Sequence, residues 1–288
     1  MAGGTTMKIQ ELFAFIKERH DIYLRRQVGK PKPWTTDKIL QQYRFTNCYR
    51  ELDVVTTWIR EHWRVPYVEH SDVWFAMTVA RFVNRPESLV ALGRPLPWRP
   101  KNFIKMMESF KQQGDKAYSS AYMINAVGMQ GHNYTSKAAY LADQVLGPLW
   151  RERAKLRPRH GDKLADFAGR LLPYHGMGGG FMTAQVIADT KFTEPLKSAE
   201  DWWTWAAPGP GSRRGLNRVL GRAVDQPWKD DEWLRQLNLL QTKIDPLVRA
   251  AGMPRLSGQD LQNCLCEYFK YSKVITGTGR PKQLYPGV

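Results

Sequence analysis

Apolar residues recur three and four positions apart along most of the chain, whereas runs in which Val, Ile or Thr alternate with polar residues are nearly absent. Residues at that spacing share one stripe of a helix, so the pattern predicts an all-α protein. The predicted helical segments are about 6–27, 36–63, 71–84, 101–112, 118–128, 136–155, 162–172, 181–190, 213–221, 230–250 and 257–273. Breaks fall at "GKPKPW" before Thr35 and Thr36, "RVPYVEHSD" before Val73, "NRPESLVALGRPLPWRPKN" before Phe103 and "APGPGS" before Arg213. Each joins Pro or Gly, which interrupt a helix, to a Ser, Thr or Asn able to cap the next one. No internal repeat is present, and one domain over 1–288 is expected, with 85–100 as the least regular stretch and the place where it could subdivide.

Two segments carry polar patterns worth following. On a helical projection of "YRFTNCYRELDVVTTWI", Phe45, Cys48, Leu52, Val55 and Ile59 form a narrow apolar stripe, with Arg44, Asn47, Arg50 and Glu51 together on another side. Such a polar stripe either faces a cleft, with Arg binding phosphate and Asn reading a pyrimidine edge, or is a solvated face with internal ion pairs. Near the C-terminus, "LSGQDLQNCLCEYFKYSK" opens on a capping Ser257 and places Leu261, Leu265 and Tyr268 on one face. Glu267 and Lys270, three residues apart, can meet on the surface or on a pocket wall, where burial beside aromatic rings would suit them to proton transfer.

Composition changes what this helical chain is expected to bind. Its 288 residues carry 43 Lys and Arg against 27 Asp and Glu, a formal net charge of +16 and a pI near 9.8. A polyanion is the simplest physical use of that excess, and nucleic acid is the leading candidate. Aromatic residues make up 12%, with 11 Trp, and rings beside Lys and Arg suit stacking on unpaired bases. Cys48, Cys264 and Cys266 form neither a disulfide framework nor a C-x-x-C pair, which points to a reducing compartment. With no apolar leader core and no window approaching 18 uncharged apolar residues, a soluble, cytoplasmic chain without membrane contact is expected. No metal or cofactor is expected.

The densest local feature is "LLPYHGMGGGFMTAQVIADT", four glycines in five residues running into an apolar, helix-like segment. A Walker A loop needs G-x-x-x-x-G-K-[ST], and here Phe181 and Met182 follow the glycines. A dinucleotide fingerprint needs a preceding strand, whereas 163–172 reads as an amphipathic helix. Gly178, Gly180, Thr183 and Ala184 instead spell G-x-G-x-x-T-A, which resembles the helix-hairpin-helix of DNA glycosylases. That resemblance implies a turn whose backbone N–H groups, with Gly176 beside them, meet a DNA phosphate at a helix N-terminus; a plain helix–helix turn is the alternative. Met182 stands where the lyase-type glycosylases carry a lysine, and Asp201 or Asp189 stands for their aspartate. Further along, "APGPGSRRGLNRVLGR" gathers Ser212, Arg213, Arg214, Arg218 and Arg222 at a helix start, suited to a pyrophosphate or to a DNA backbone.

In order, "PWTTDKILQQYRFTNCYRELDVVTTWI", "SSAYMINAVG", the glycine turn, "PGPGSRRGLNRVLG" and "LCEYFKYSK" resemble the phage enzymes of thymine hypermodification over about 33–285. These are the glycosylase-like amino acid:DNA transferases, also described as α-glutamyl/putrescinyl thymine pyrophosphorylases, and the helical part of the 5-hydroxymethyluracil DNA kinases. The resemblance implies a DNA-glycosylase-like helical fold acting on a flipped, phosphorylated or pyrophosphorylated 5-hydroxymethyluracil in double-stranded DNA. The phosphate would be replaced by an amino acid, with glycine as one candidate, or by another amine, and the missing Walker A lysine favours this step over the kinase step. In that reading Glu267, Asp189, Asp201 and Lys270 form the acid/base set. Arg213, Arg214 and Arg44 face the leaving group, and Tyr43, Asn47, Tyr49, Arg50 and Glu51 hold the pyrimidine. A kinase-related helical protein, a DNA glycosylase and a DNA-binding protein without catalysis are the other readings.

Overall fold

The computed structural model describes residues 2–119, 134 and 136–285, with side chains from residue 8 onward. It is helical, and the isolated antiparallel bridge between Tyr43 and Leu284 is the β pairing found among the described residues. In chain order the helices are α1 (Ala2–Gln27), α2 (Lys38–Gln42), a 3-10 turn (Arg50–Leu52), α3 (Val54–Ile59) running into a π-turn (Arg60–Arg64), α4 (Val73–Val83), α5 (Pro86–Leu92) and α6 (Pro100–Gln112). There follow α7 (Lys137–Tyr140), a second π-turn (Leu141–Leu146), α8 (Gly147–Arg151), α9 (Arg153–Leu156), α10 (Leu164–Leu171), α11 (Phe181–Thr190), α12 (Pro210–Leu220), α13 (Asp230–Ala250) and α14 (Gly258–Ile275). The helix expected at 118–128 lies, apart from its first two residues, outside the described residues, and so does most of "SSAYMINAVG".

The chain forms two compact units, Met1–Asp53 with Trp203–Val288, and Val54–Trp202. The stretch at 85–100 lies inside the second unit. It is irregular only in part: Pro86 at the first helical position and Glu87 in the first turn start α5, and Gly93, with φ of +67°, ends it.

In the first unit, α1, α12, α13 and α14 bury one apolar core that includes Leu12, Phe15, Ile16, Leu216, Val219, Trp233, Leu237, Leu261 and Leu265. Helix α13 begins on Asp230, Asp231 and Glu232, whose charges favour its positive end, and then sends Trp233, Leu237, Leu240, Ile244 and Val248 inward at helical spacing. Helix α14 begins at a reciprocal cap: the Ser257 hydroxyl accepts from the Asp260 amide, and the Asp260 carboxylate accepts from the Ser257 amide at 3.1 Å. The closest packing is between α12 and α14. A Cβ on Gly215 would overlap the Leu265 carbonyl oxygen, and one on Gly211 would overlap the Cys266 sulfur, so these two glycines, four apart on one face, set how near the helices come.

One predicted helix, 36–63, does not form as a unit. Asp37 caps α2 by accepting from the amides of Ile39 and Leu40 at 2.8 and 3.0 Å, but α2 stops after five residues. Tyr43 and Tyr49 have extended backbone, and helical structure resumes only at Arg50. The polar stripe of Arg44, Asn47, Arg50 and Glu51 therefore does not exist as one helix face. The reason is that side chains elsewhere in the unit take up the backbone polar groups of this segment, as described below, and the helix would withdraw those groups.

In the second unit, every residue of α4 is buried. The expected helix 136–155 is present in pieces: Pro148 has no amide hydrogen to donate, and a π-turn precedes it. A Cβ on Gly147 would come within 2.8 Å of the Ala142 carbonyl oxygen, so only glycine fits the end of that turn. Among the described residues no helix is long and apolar enough to cross a membrane.

Candidate functional site

The first unit fixes the segment 43–53 through one polar face of α14. Asp260, Asn263 and Glu267 are three and then four apart, so they share a stripe. Asp260 accepts from the Arg50 amide at 3.1 Å, the Asn263 side-chain amide donates to the Asn47 carbonyl at 3.0 Å, and Glu267 accepts from the Thr46 amide at 3.2 Å. From α1, the buried Arg19 guanidinium donates to the carbonyls of Phe45 and Thr46 at 2.7 and 3.2 Å. Asn47 closes a local loop, its amide on Asp53 and its side chain on the Leu52 carbonyl. The segment between α2 and the 3-10 turn is thus held through the amides of Arg44, Thr46 and Asn47 and the carbonyls of Phe45, Thr46 and Asn47. Arg19, Asp260 and Asn263 were missed in the sequence, although the i, i+3, i+7 polar stripe of α14 was there to be read.

Beside this ladder, Glu267 is buried and its Oε1 accepts from the half-exposed Lys270 ammonium at 2.5 Å. Burial works against the Lys270 charge, but the charge and hydrogen bond of Glu267 outweigh it and hold the ammonium pKa above its ordinary value. Arg44 is exposed; its amide donates to the Gln283 carbonyl at 3.0 Å, and its guanidinium meets no carboxylate among the described residues. Tyr43 and Tyr49 are core residues instead. The Tyr49 hydroxyl donates to the Pro254 carbonyl at 2.6 Å, and burial pushes its pKa far up. Arg50 and Glu51 lie half-buried in the 3-10 turn.

A cleft of about 600 Å³ opens between α1, α2 and α14. Its walls include the rings of Phe15, Tyr268 and Tyr271 and the carboxylates of Glu11, Glu18 and Asp37, with no Lys or Arg among its lining residues. Tyr268 donates to Glu11 at 3.2 Å and Tyr271 to Asp37 at 2.5 Å, which keeps both carboxylates oriented. Burial, with the Glu11 charge, pushes the Tyr268 phenol up to about 12, so it stays a donor at neutral pH. Acidic groups and ring faces together receive a cation. Nothing in the sequence pattern joined these residues, which come from three separate segments.

The arginines of α12 are engaged on the surface. Arg213 donates to the Trp228 carbonyl at 2.9 Å and pairs with exposed Asp230 at 2.5 Å, while Arg214 pairs with exposed Asp225 at 2.7 Å. Exposed pairs of this kind contribute little and exchange readily for a better anion. Arg218 is half-buried one turn further on. Ser212 is buried, and its hydroxyl closes the helix start by accepting from the Gly209 amide at 2.9 Å and donating to the Gly209 carbonyl at 3.0 Å. It is a capping residue, with no side-chain atom facing solvent.

The remaining expected site residues belong to the second unit. Asp189 is fully buried and gives both oxygens to Arg81, each at 2.5 Å; Arg81 also donates to Thr56 at 2.9 Å and Asn84 at 3.3 Å. Asp201 caps α10 by accepting from the amides of Leu164 and Ala165 at 2.6 and 3.0 Å. Both carboxylates thus have structural partners. Between α10 and α11 the glycine turn is real: Gly176, Gly179 and Gly180 have φ of +80°, +75° and +80°. Gly178 does not need positive φ and is exposed. Met177 plugs the core beneath the turn, and buried Thr183 donates to the Met177 carbonyl at 2.9 Å, so its hydroxyl ties the turn together. Gly180 stands at the N-cap of α11 with no side-chain cap, and Gly178 and Gly179 beside it are exposed.

Comparison with known proteins gives this geometry a lineage. The family model described as the 5-hmdU DNA kinase helical domain matches residues 6–280. The 5-hmdU DNA kinase of Bacillus phage SP10 is 25% identical over 242 residues, which are 72% of this chain and 35% of that protein. The chain thus spans well under half the length of that curated relative. No solved structure matches. A match that begins in α1, runs through both units and ends just beyond α14 makes this chain a member of the 5-hmdU DNA kinase helical-domain family.

Proposed function

We propose that the chain processes DNA containing modified thymine, replacing the phosphate or pyrophosphate on a 5-hydroxymethyluracil with an amine. The kinship with a helical domain of 5-hmdU DNA kinases supports the DNA substrate, and the net charge of +16 supports a polyanionic partner.

The observation that carries the amine half of the reading is the acidic, aromatic cleft of the first unit. On a strongly basic chain, the carboxylates of Glu11 and Asp37 and three ring faces around about 600 Å³ favour an ammonium over a carboxylate, with Glu18 at the wall paired to Arg25 at 2.9 Å. The incoming group is therefore an amine such as a diamine, in preference to glycine or another amino acid. Glu267, already bound to the ammonium of Lys270, is the carboxylate that exchanges a proton with the nucleophile. Arg44, Arg213 and Arg214 stabilise the departing oxygens. The glycine turn before α11 holds the DNA backbone by its amides, and the flipped base costs a few kcal/mol that such contacts offset. Asp189 and Asp201 serve the fold.

The test is a duplex carrying phosphorylated 5-hydroxymethyluracil, incubated with the protein and each of a panel of amines, then digested to nucleosides and weighed by mass spectrometry. A nucleoside enlarged by a diamine, with little product from glycine, is the expected result. Free base with an abasic site would show a glycosylase instead. A second reading has one observation behind it: the relative named as a kinase is much longer than this chain. As a DNA-presenting module of a kinase, the chain would bind the duplex and leave every nucleoside mass unchanged.

A further inference from the structure

The stretch 25–38, which joins α1 to α2 through "GKPKPW", has no part in the transfer reaction. It carries five Lys and Arg against one carboxylate, Asp37. Asp37 is engaged on both oxygens, accepting from the Ile39 and Leu40 amides on one and from the Tyr271 hydroxyl, at the wall of the acidic cleft, on the other. A separate groove of about 460 Å³ runs beside α2, within the roughly 300–1,000 Å³ usual for ligand sites. Lys32, Pro33, Trp34, Lys38 and Leu40 are among its lining residues, with no Asp or Glu. Lys32 and Lys38 are exposed, as are Arg26 and Lys30 nearby in the chain.

Trp34 separates this groove from a merely basic surface. The residue is half-buried, its indole N–H donates to the Lys30 carbonyl at 2.7 Å, and the Tyr285 ring meets it edge-on at 5.4 Å. Tyr285 is itself held, its amide donating to the Gln42 carbonyl at 3.1 Å. With its polar atom satisfied, the part of Trp34 that lines the groove is apolar ring. The Arg26 guanidinium and the Lys32 ammonium lie 5.2 and 5.4 Å from the centre of that ring. A fixed ring set among cations, with no acid beside it, complements a partner that carries anions and flat apolar faces in alternation. An unpaired nucleic-acid strand has that chemistry, whereas a free phosphate has no face to offer and an intact duplex keeps its base faces stacked inside.

We propose that this groove holds an unpaired stretch of DNA strand, with a base against Trp34 and the neighbouring phosphates on Lys32 and Lys38. The groove has this role only if DNA is the substrate, as proposed above, and its place in the first unit then matters. Thr35 and Leu40 line both the groove and the acidic cleft, so a strand opened at the modified base runs directly beside the cleft that would admit the amine.

The test photo-cross-links the protein to a short oligothymidylate carrying 5-iododeoxyuridine and maps the product by mass spectrometry. Affinities for the unmodified oligomer, for an abasic oligomer of equal charge and for a duplex are measured alongside over a range of salt. The expected cross-link falls on Trp34, in the tryptic peptide 27–38. The abasic oligomer should bind the parent about tenfold more weakly than the thymidylate, a difference that Trp34→Leu removes. Lys32→Gln/Lys38→Gln should lower the salt slope for the oligomer by about 1.4. If Trp34→Leu fails to fold, the lysine variant, altered only at exposed positions, and the abasic comparison in the parent decide the matter. Duplex binding that persists while the cross-link falls outside 27–38, while thymidylate and abasic oligomers bind alike, or while the lysine variant keeps the parent's salt slope overturns the groove alone. A parent protein that binds neither duplex nor oligomer overturns the groove together with the DNA substrate.

Discussion

Asp189 and Glu267 are both buried, yet their surroundings give them different work. Asp189 is closed in by Arg81 on both oxygens, and Arg81 also donates to Thr56 and Asn84. Removing one member strands a buried charge, so Asp189→Leu is expected to cost about 3–5 kcal/mol of stability, read as a fall in Tm or in the denaturant midpoint. Glu267 instead shares its carboxylate between a backbone amide and an ammonium that reaches solvent. Glu267→Gln keeps the shape and the Thr46 contact; transfer should disappear while duplex affinity stays within about twofold of the parent, and a parallel loss of both would make the residue structural. Lys270 adds a pH dependence with a definite sign. Its folded pKa is raised above the ordinary value of 10.5, so its contribution to stability is complete below that value and is lost as pH rises through the folded pKa. The stability difference between the parent and Lys270→Met should be constant from pH 7 to about 9 and shrink above about pH 10.5.

At the scale of elements, the contact between α12 and α14 is the most sensitive to change. Gly215→Ala drives a methyl group into the Leu265 carbonyl, whereas Gly209→Ala meets nothing closer than 3.8 Å. The first is expected to destabilise the unit by at least about 1–3 kcal/mol and the second by less than about 0.5, measured by thermal unfolding. Those glycines also explain what the sequence could and could not disclose. Long amphipathic helices were legible because their pattern is local: 181–190 and 230–250 begin and end where periodicity puts them, and the cap at Ser257 marks α14. The break at 43–49 was not legible, because it depends on Arg19, Asp260, Asn263 and Glu267, residues up to 221 positions away. "PGPGSRRG" read as an anion-binding loop from its arginines, yet its glycines and Ser212 serve helix packing and capping, and only the arginines face outward. Likewise Asp201 carried the right residue type for an acid, and the amides it caps lie in a different segment. The acidic cleft was invisible for the same reason, since Glu11, Asp37 and Tyr271 converge only in three dimensions.

For the molecule as a whole, the excess of positive charge predicts how it meets DNA. Duplex affinity should fall steeply with salt, about a thousandfold between 50 and 200 mM if some six phosphates are neutralised. Gly180→Val forces a β-branched residue into a left-handed conformation at the start of α11, and should weaken binding alike on all sequences, because backbone amides touch phosphate and read no base. The most direct measurement of the central claim uses a duplex whose 5-hydroxymethyluracil carries a radiolabelled phosphate. The account predicts that label leaves the DNA as phosphate only when protein and a diamine are both present, and that ATP changes nothing. Label that stays on the duplex with every amine, or an unphosphorylated duplex that gains label from ATP, would contradict it.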